Sequence, residues 1–353
     1  MATIAIPGRK AGRGILRSGV FRMLTTYVLP RILQWVAVIV VGVTVTFAIP
    51  RLLPTNPVDQ TLAMVSARSS YSDPQAVAAF RKTLEAMYGL QGTPWDQYVR
   101  FWQNLFQGNL GPSLGAFPTP VTAIIGQALP WTIGLLGTSL VISWLLGLLL
   151  GSLSAYYPNR AWSRFLANSL VAVYPIPYYI LALILLFLFA YFIPIFPLVG
   201  GAGGGQSFSP GYVLSIIFHS ILPAFSLVLG GTAFRFIMAR ALARGTMSSD
   251  YVTFAETAGI PKGKVIRQYV VRNSLLPQVT DLALSLGTLF EGAIITEVVF
   301  SYPGIGYRLY NAILQSDYNL IIGITLFSIV GVATAALLID LIYPLVDPRV
   351  RYR

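Results

Sequence analysis

The chain has 353 residues, 55% of them apolar and 10% charged, and no cysteine, which excludes disulfides and thiolate zinc sites. Apolar stretches of about twenty residues recur along it, so the composition specifies a polytopic protein, helical in lipid, and argues against a soluble core. The net charge of +12 is a topology signal and not a nucleic-acid footprint: Arg9, Lys10, Arg13, Arg17, Arg22 and Arg31, then Arg160 and Arg164, then the stretch from Arg235 to Arg272, then Arg349, Arg351 and Arg353 fall in alternate loops, as the positive-inside rule requires for a cytoplasmic N-terminus.

In chain order, residues 1–26 form a basic leader and 27–50 the first transmembrane helix, whose apolar run is longer than a signal peptide's and is followed by no small-residue cleavage site. It reads as an uncleaved anchor. Residues 51–120 turn polar. Ser72, Asp73 and Pro74 signal the start of an amphipathic helix over 75–88. Beyond it, Trp95, Tyr98, Phe101, Trp102, Leu105 and Phe106 recur at helical spacing, a stripe that either packs on neighbouring spans and the interface belt or contacts substrate. Residues 121–345 hold five further spans. The second covers about 124–155. The third, about 165–196, contains Tyr174, Pro175, Ile176 and Pro177, and two prolines remove two backbone donors, so the helix must bend there. That bend is either a kink beside a translocation path or a packing kink. The fourth span, about 213–241, carries His219, which reads as a hydrogen-bonded packing residue or a proton relay.

Between the fourth and fifth spans, residues 246–275 are short, charged and broken by glycine. A helix is predicted from Asp250 to Ala258, stopped by Gly259 with Pro261 beyond, and a basic helix from Lys262 returns toward the bilayer. The glycine-rich runs GGAGGG, at 200–205, and GIPKGK, at 259–264, have neither the spacing nor the Lys-Ser/Thr of a phosphate loop, so no nucleotide site is assigned. The fifth span, about 276–299, contains Asp281, Glu291 and Glu297. Buried acidic groups cost roughly 2.5–3.5 kcal/mol at mid-membrane on insertion scales. Asp281 is expected to pair with a basic loop residue, and Glu291 and Glu297 either face a cavity or stabilise a gate, or pair with a partner subunit. Residues 298–317, with Tyr302, Pro303 and Gly304, form a Pro/Gly-broken re-entrant segment. The sixth span covers about 318–344, and 346–353 is a basic tail.

The stretch SSDYVTFAETAGIPKGKVIRQYVVRNSLLP resembles the cytoplasmic coupling loop of membrane subunits of binding-protein-dependent ABC importers. Thr253-Phe254-Ala255 stands at the EAA box, with Thr253 in place of its leading Glu; Gly259 stands at the motif glycine and Leu276-Pro277 at the close. The spacing, the flanking DYVTFAETAGI and RNSLLP, the turn Gly108-Asn109-Leu110-Gly111 and the segment ITEVVFSYPGIGYRLYNAI resemble the dipeptide and oligopeptide permease branch. The resemblance implies a six-helix type I importer permease fold with an external helical insertion after the first span, in a bacterial inner membrane, with both termini cytoplasmic. It implies a second homologous permease, two ABC ATPase subunits that bind ATP and Mg, and an extracytoplasmic solute-binding protein. Peptides are the cargo it points to first; oligosaccharides and nickel complexes also occur in the branch. It assigns ATPase coupling to Tyr251, Thr253, Phe254, Ala255, Ala258, Gly259 and Ile260, while Tyr174, Pro175, Glu291, Glu297, Tyr302, Pro303 and Gly304 are pore or gate candidates. An ion-coupled carrier would use the acidic residues of the fifth span and need no coupling loop. An intramembrane hydrolase has too little to work with: one His, no Cys, no HExxH and no paired-aspartate motif.

Overall fold

The computed structural model describes residues 24–52, 58–59, 62–63, 74–201, 209–287, 289 and 293–346. Among these it is helical, with no strand and one isolated bridge between Pro112 and Pro120. After a short π-turn over Leu24–Val28 come α1 (Leu29–Leu52), α2 (Pro74–Met87), α3 (Pro94–Phe106), α4 (Val121–Tyr156), α5 (Ala161–Val173), α6 (Tyr178–Leu186), α7 (Pro210–Met247), α8 (Asp250–Thr257), α9 (Lys262–Val265), α10 (Arg272–Gly287), α11 (Ile294–Val299), α12 (Ile305–Leu314) and α13 (Tyr318–Val346).

The bundle is built around α4 and α7, of 36 and 38 residues. At 1.5 Å per residue each is over about 50 Å long, well beyond a hydrocarbon core of about 30 Å, so their ends must stand clear of it. They approach closely because small residues recur every fourth position on α4: Ser139, Ser143, Gly147, Gly151 and Ala155, all buried. A Cβ on Gly147 would sit 2.4 Å from the Cβ of Arg235, and one on Gly151 would sit 2.6 Å from the carbonyl oxygen of Phe236. In lipid, such backbone proximity supplies the van der Waals contact that hydrophobicity cannot.

Four helices are long and apolar enough to cross a membrane among the described residues, and a bent pair would make a fifth. The bent pair is α5 with α6, which continues as a π-helix over Phe187–Phe192. The helix axis bends by 102° across Tyr174–Pro177, a sharper change of direction than a simple proline kink. The fifth span also departs from expectation: α10 ends at Gly287 and α11 begins at Ile294, so 276–299 is not one helix. Glu291 lies outside the described residues, as does the cap expected at Ser72 and Asp73.

At one end of the bundle α3 lies on the last turns of α1. Phe47 meets Tyr98 edge-on at 5.1 Å and Phe101 at 5.4 Å, and Arg51 donates to Gln97 at 3.1 Å. The aromatic stripe is therefore divided: Tyr98 and Phe101 pack inward, while Trp95 and Phe106 stay exposed. Thr93 caps α3 and Asp96 returns the bond to the Thr93 amide, a capping box. His219 has its Nδ1 2.8 Å from the carbonyl oxygen of Ser215, one turn back, the geometry of a packing residue.

Candidate functional site

Two regions bring the candidate residues together. At the end of the bundle where α4 and α7 finish, Ala155, Ala243 and Val270 form a small apolar cluster, and beyond it α8 rests on α9 through Val252, Ala255 and Val265. The aromatic ring of Tyr251 stacks on Tyr269 at 6.4 Å, its hydroxyl accepts from Asn273 at 3.1 Å, and Glu256 accepts from the hydroxyl of Tyr156 at 2.8 Å. These contacts fix which face of α8 looks outward.

The helix stops in a Schellman motif. Gly259 has φ +73°, its N–H donates to the carbonyl of Glu256, and the N–H of Ile260 donates to that of Ala255. Ile260 packs against the Ala255 cluster, the apolar contact that accompanies such a stop. Of the seven coupling residues read from the sequence, Tyr251, Thr253, Phe254, Ala258 and Gly259 are exposed, Phe254 at 76%. Ala255 is corrected: at 2% exposure it faces Val265 and not solvent, because it lies three residues from Val252 on the same side of α8. Ser249 occupies the N-cap position, but its side chain makes no capping bond.

The second region is the α11–α12 turn. Glu297 is fully buried; its carboxylate accepts from the Thr132 hydroxyl at 2.9 Å and from the Tyr307 N–H at 3.0 Å. Tyr307 is the third residue of α12, so the carboxylate caps that helix where its unpaired N–H groups and positive dipole end lie. The Thr132 oxygen in turn accepts from the Ile305 N–H at 2.8 Å. Glu297 therefore faces neither a cavity nor solvent; it ties the α11–α12 turn to α4. Gly304 is required by proximity, since a Cβ there would be 2.4 Å from the Glu297 carboxyl. Pro303 closes the turn against Gly201, where a Cβ would be 3.0 Å from its ring.

Two cavities flank the α4–α7 pair. One, of about 870 Å³, is walled by Gln127, Trp131, Thr138, Tyr212, Ser220 and Tyr302. Tyr302 is held there by a 3.1 Å hydrogen bond to Ser220 and an edge contact with Trp131. The other, of about 520 Å³, is bordered by Ser143, Tyr174, Tyr178, Arg235, Ser285 and Leu289. Tyr174 thus borders a cavity, stacked on Phe234, whereas Pro175 is exposed at the bend beside it.

Sequence reasoning missed the polar centre of the second cavity. Arg235 donates to Asp281 at 2.9 Å, to Ser143 at 3.2 Å and to Ser285 at 3.0 Å, joining α7, α10 and α4. Asp281 pairs with this buried residue of α7 and not with a loop cation. The available signal was Arg235 itself, a cation six residues inside the expected end of the fourth span, at a depth matching that of an aspartate in the fifth.

The long apolar helices, the bent pair and the small helix held beyond the bundle define a multi-pass α-helical membrane protein with an outward-facing knob. The chain belongs to the family described as the binding-protein-dependent transport system inner membrane component, whose model matches residues 147–352. It is 31% identical over 336 residues to a di/tripeptide transport system permease protein, DppB, of Pseudomonas aeruginosa (strain UCBPP-PA14), covering 88% of this chain and 95% of that one. It is also 28% identical over 331 residues to the oligopeptide transport system permease protein AppB of Bacillus subtilis (strain 168), covering 93% of this chain and 100% of the relative. A putative peptide permease of Brucella suis biovar 1 (strain 1330) is 30% identical over 329 residues, with 92% and 98% covered.

Proposed function

We propose that the chain is a pore-forming permease subunit of an ATP-driven importer that receives peptides from a binding protein and passes them into the cytoplasm by alternating access. The observation that carries this is α8: a short helix stopped by Gly259, packed on one side and presenting Phe254 at 76% exposure on the other, beyond the ends of the two longest helices. A large aromatic ring held out on a rigid base is suited to a groove on another protein. A motor that closes on ATP can then move α4 and α7 as levers, because a conformational change requires contacts that differ between its two states.

In this reading α8 is the contact for one of two ATPase subunits, which bind ATP and Mg; this chain binds neither. A second, related permease completes the pore, and a solute-binding protein docks at the opposite end, where α2, α3 and the exposed Trp95 and Phe106 lie. Both termini are cytoplasmic, as the basic groups require. The bent pair counts as one crossing and the stretch read as the fifth span, about 276–299, as another, giving six. The cavity bordered by Trp131, Gln127 and Tyr302 is mostly apolar with a few polar groups, a surface that tolerates varied side chains. Peptide cargo rests on the relatives, whose names specify oligopeptides and di/tripeptides.

The test is purification of the tagged chain from its native membrane with and without Phe254→Ala. An ATPase and a second permease should accompany the parent chain, and the ATPase should be depleted from the variant while the permease pairing persists. Parent chain purified without any ATPase would overturn the reading.

A further inference from the structure

A groove of about 410 Å³ runs between α1 and α13, away from both cavities above. Its shaft is apolar and made of Trp35, Val38, Ile329, Val332, Ala333 and Ala336, and its mouth carries Arg31 and Asp340. These two are ion-paired at 3.0 Å, yet their side chains remain 39% and 37% exposed. The pair lies where α1 begins and α13 nears its end, beside two aromatic anchors: Trp35 donates to Thr334 at 3.2 Å, and the Tyr27 hydroxyl donates to the Asp340 carbonyl at 2.5 Å. Trp and Tyr bonded in this way mark headgroup depth.

We propose that this groove binds one phospholipid with a zwitterionic, primary-amine headgroup, phosphatidylethanolamine in type, its phosphate on Arg31, its ammonium on Asp340 and an acyl chain along the shaft. Charge complementarity selects the occupant. Arg31 spends one terminal nitrogen on Asp340 and Gln34, and a guanidinium has five N–H donors in a fork that fits phosphate. Asp340 binds Arg31 through Oδ2, and a carboxylate has about four acceptor positions, so it can also take an ammonium N–H. An anionic lipid meets Asp340 with a second negative charge and brings no cation. A choline headgroup carries charge but no N–H to donate. The small Ala333 and Ala336 leave the width that a chain needs.

The intact purified chain should be titrated with phosphatidylethanolamine, phosphatidylcholine and phosphatidylglycerol of equal chain length and observed by native mass spectrometry. The first ethanolamine adduct should form at least about tenfold more tightly than the other two, the equivalent of one charge-assisted hydrogen bond. Arg31→Gln and Asp340→Asn should each abolish that preference. Ala336→Leu touches neither charge and places its bulk at an exposed position, so it should fold normally and still lose the first adduct. Equal binding of the three lipids would overturn the site as mere annular contact. Preference for phosphatidylglycerol would show that it reads charge alone. A chain dimer that excludes lipid would assign the groove to a second copy, and full ethanolamine binding by Ala336→Leu would place the lipid elsewhere.

Discussion

Thr132 on α4 and Glu297 on α11, separated by 165 residues of chain, share a hydrogen bond of 2.9 Å inside the protein. The hydroxyl that donates to the carboxylate also accepts from the Ile305 N–H, so one oxygen serves two buried groups. Thr132→Val keeps the shape and removes both bonds, and each orphaned group should cost about 1–3 kcal/mol. Thr132→Ser should recover most of the loss. Melting of the detergent-solubilised chain measures this, and equal melting of the Val and Ser variants would contradict it.

The Arg235–Asp281 pair is 8% and 19% exposed, too buried for water to replace a missing partner. Asp281→Leu or Arg235→Met alone should destabilise by about 3–5 kcal/mol. The double variant should lose much less than the sum, because the desolvation of both charges disappears with them. A double-mutant cycle on thermal stability decides it, and strict additivity would show that the two charges do not stabilise each other.

Gly259 sits at φ +73° with nothing within 4 Å of a Cβ built on it, so space is not the constraint; backbone conformation is. Gly259→Val should strain the turn by about 1–3 kcal/mol and disturb the presentation of Phe254, whereas Gly259→Asn should be tolerated better. The expected result is reduced uptake of labelled peptide at unchanged membrane abundance for Val, with Asn intermediate. Full transport by the Val variant would remove the turn from the coupling argument.

At the other end of the molecule, hydrogen bonds from the Thr93 side chain and amide hold the Asp96 carboxyl below its ordinary value. A carboxyl lowered in the folded state contributes stability that is complete above the unfolded value of about 3.9 and is lost as pH falls through the folded one. Acidification below about pH 4 should therefore fray α3 at its start. Hydrogen exchange over 94–106 should accelerate in acid relative to the intrinsic rate, and Thr93→Ala should produce the same fraying at neutral pH. Protection independent of pH would mean that the capping box contributes nothing.

How far each feature was legible depends on how local its cause is. The stop of α8 at Gly259 was readable because a left-handed residue after a helix is a property of a few neighbouring positions. The bend at Tyr174–Pro177 was readable as a bend but not as 102°, since two prolines release the helix without directing it. The role of Glu297 was not readable: a costly acid in an apolar stretch announces that it has a partner but not that the partner is Thr132 on a distant helix. Ala255 was misplaced because a short helix with apolar residues on several sides does not declare which side is covered.

The amino-acid sequence by itself determined a helical membrane protein, the stop of α8 at Gly259, the bend at Tyr174–Pro177 and the knob-forming stretch, but not the break between α10 and α11. Each follows from hydropathy over about twenty residues or from Gly, Pro and charge at single positions. Only the tertiary structure decided which polar groups meet: Arg235 with Asp281, Glu297 with Thr132, Arg31 with Asp340. Helical periodicity specifies a face, and it takes the packing of a second helix to specify what that face touches.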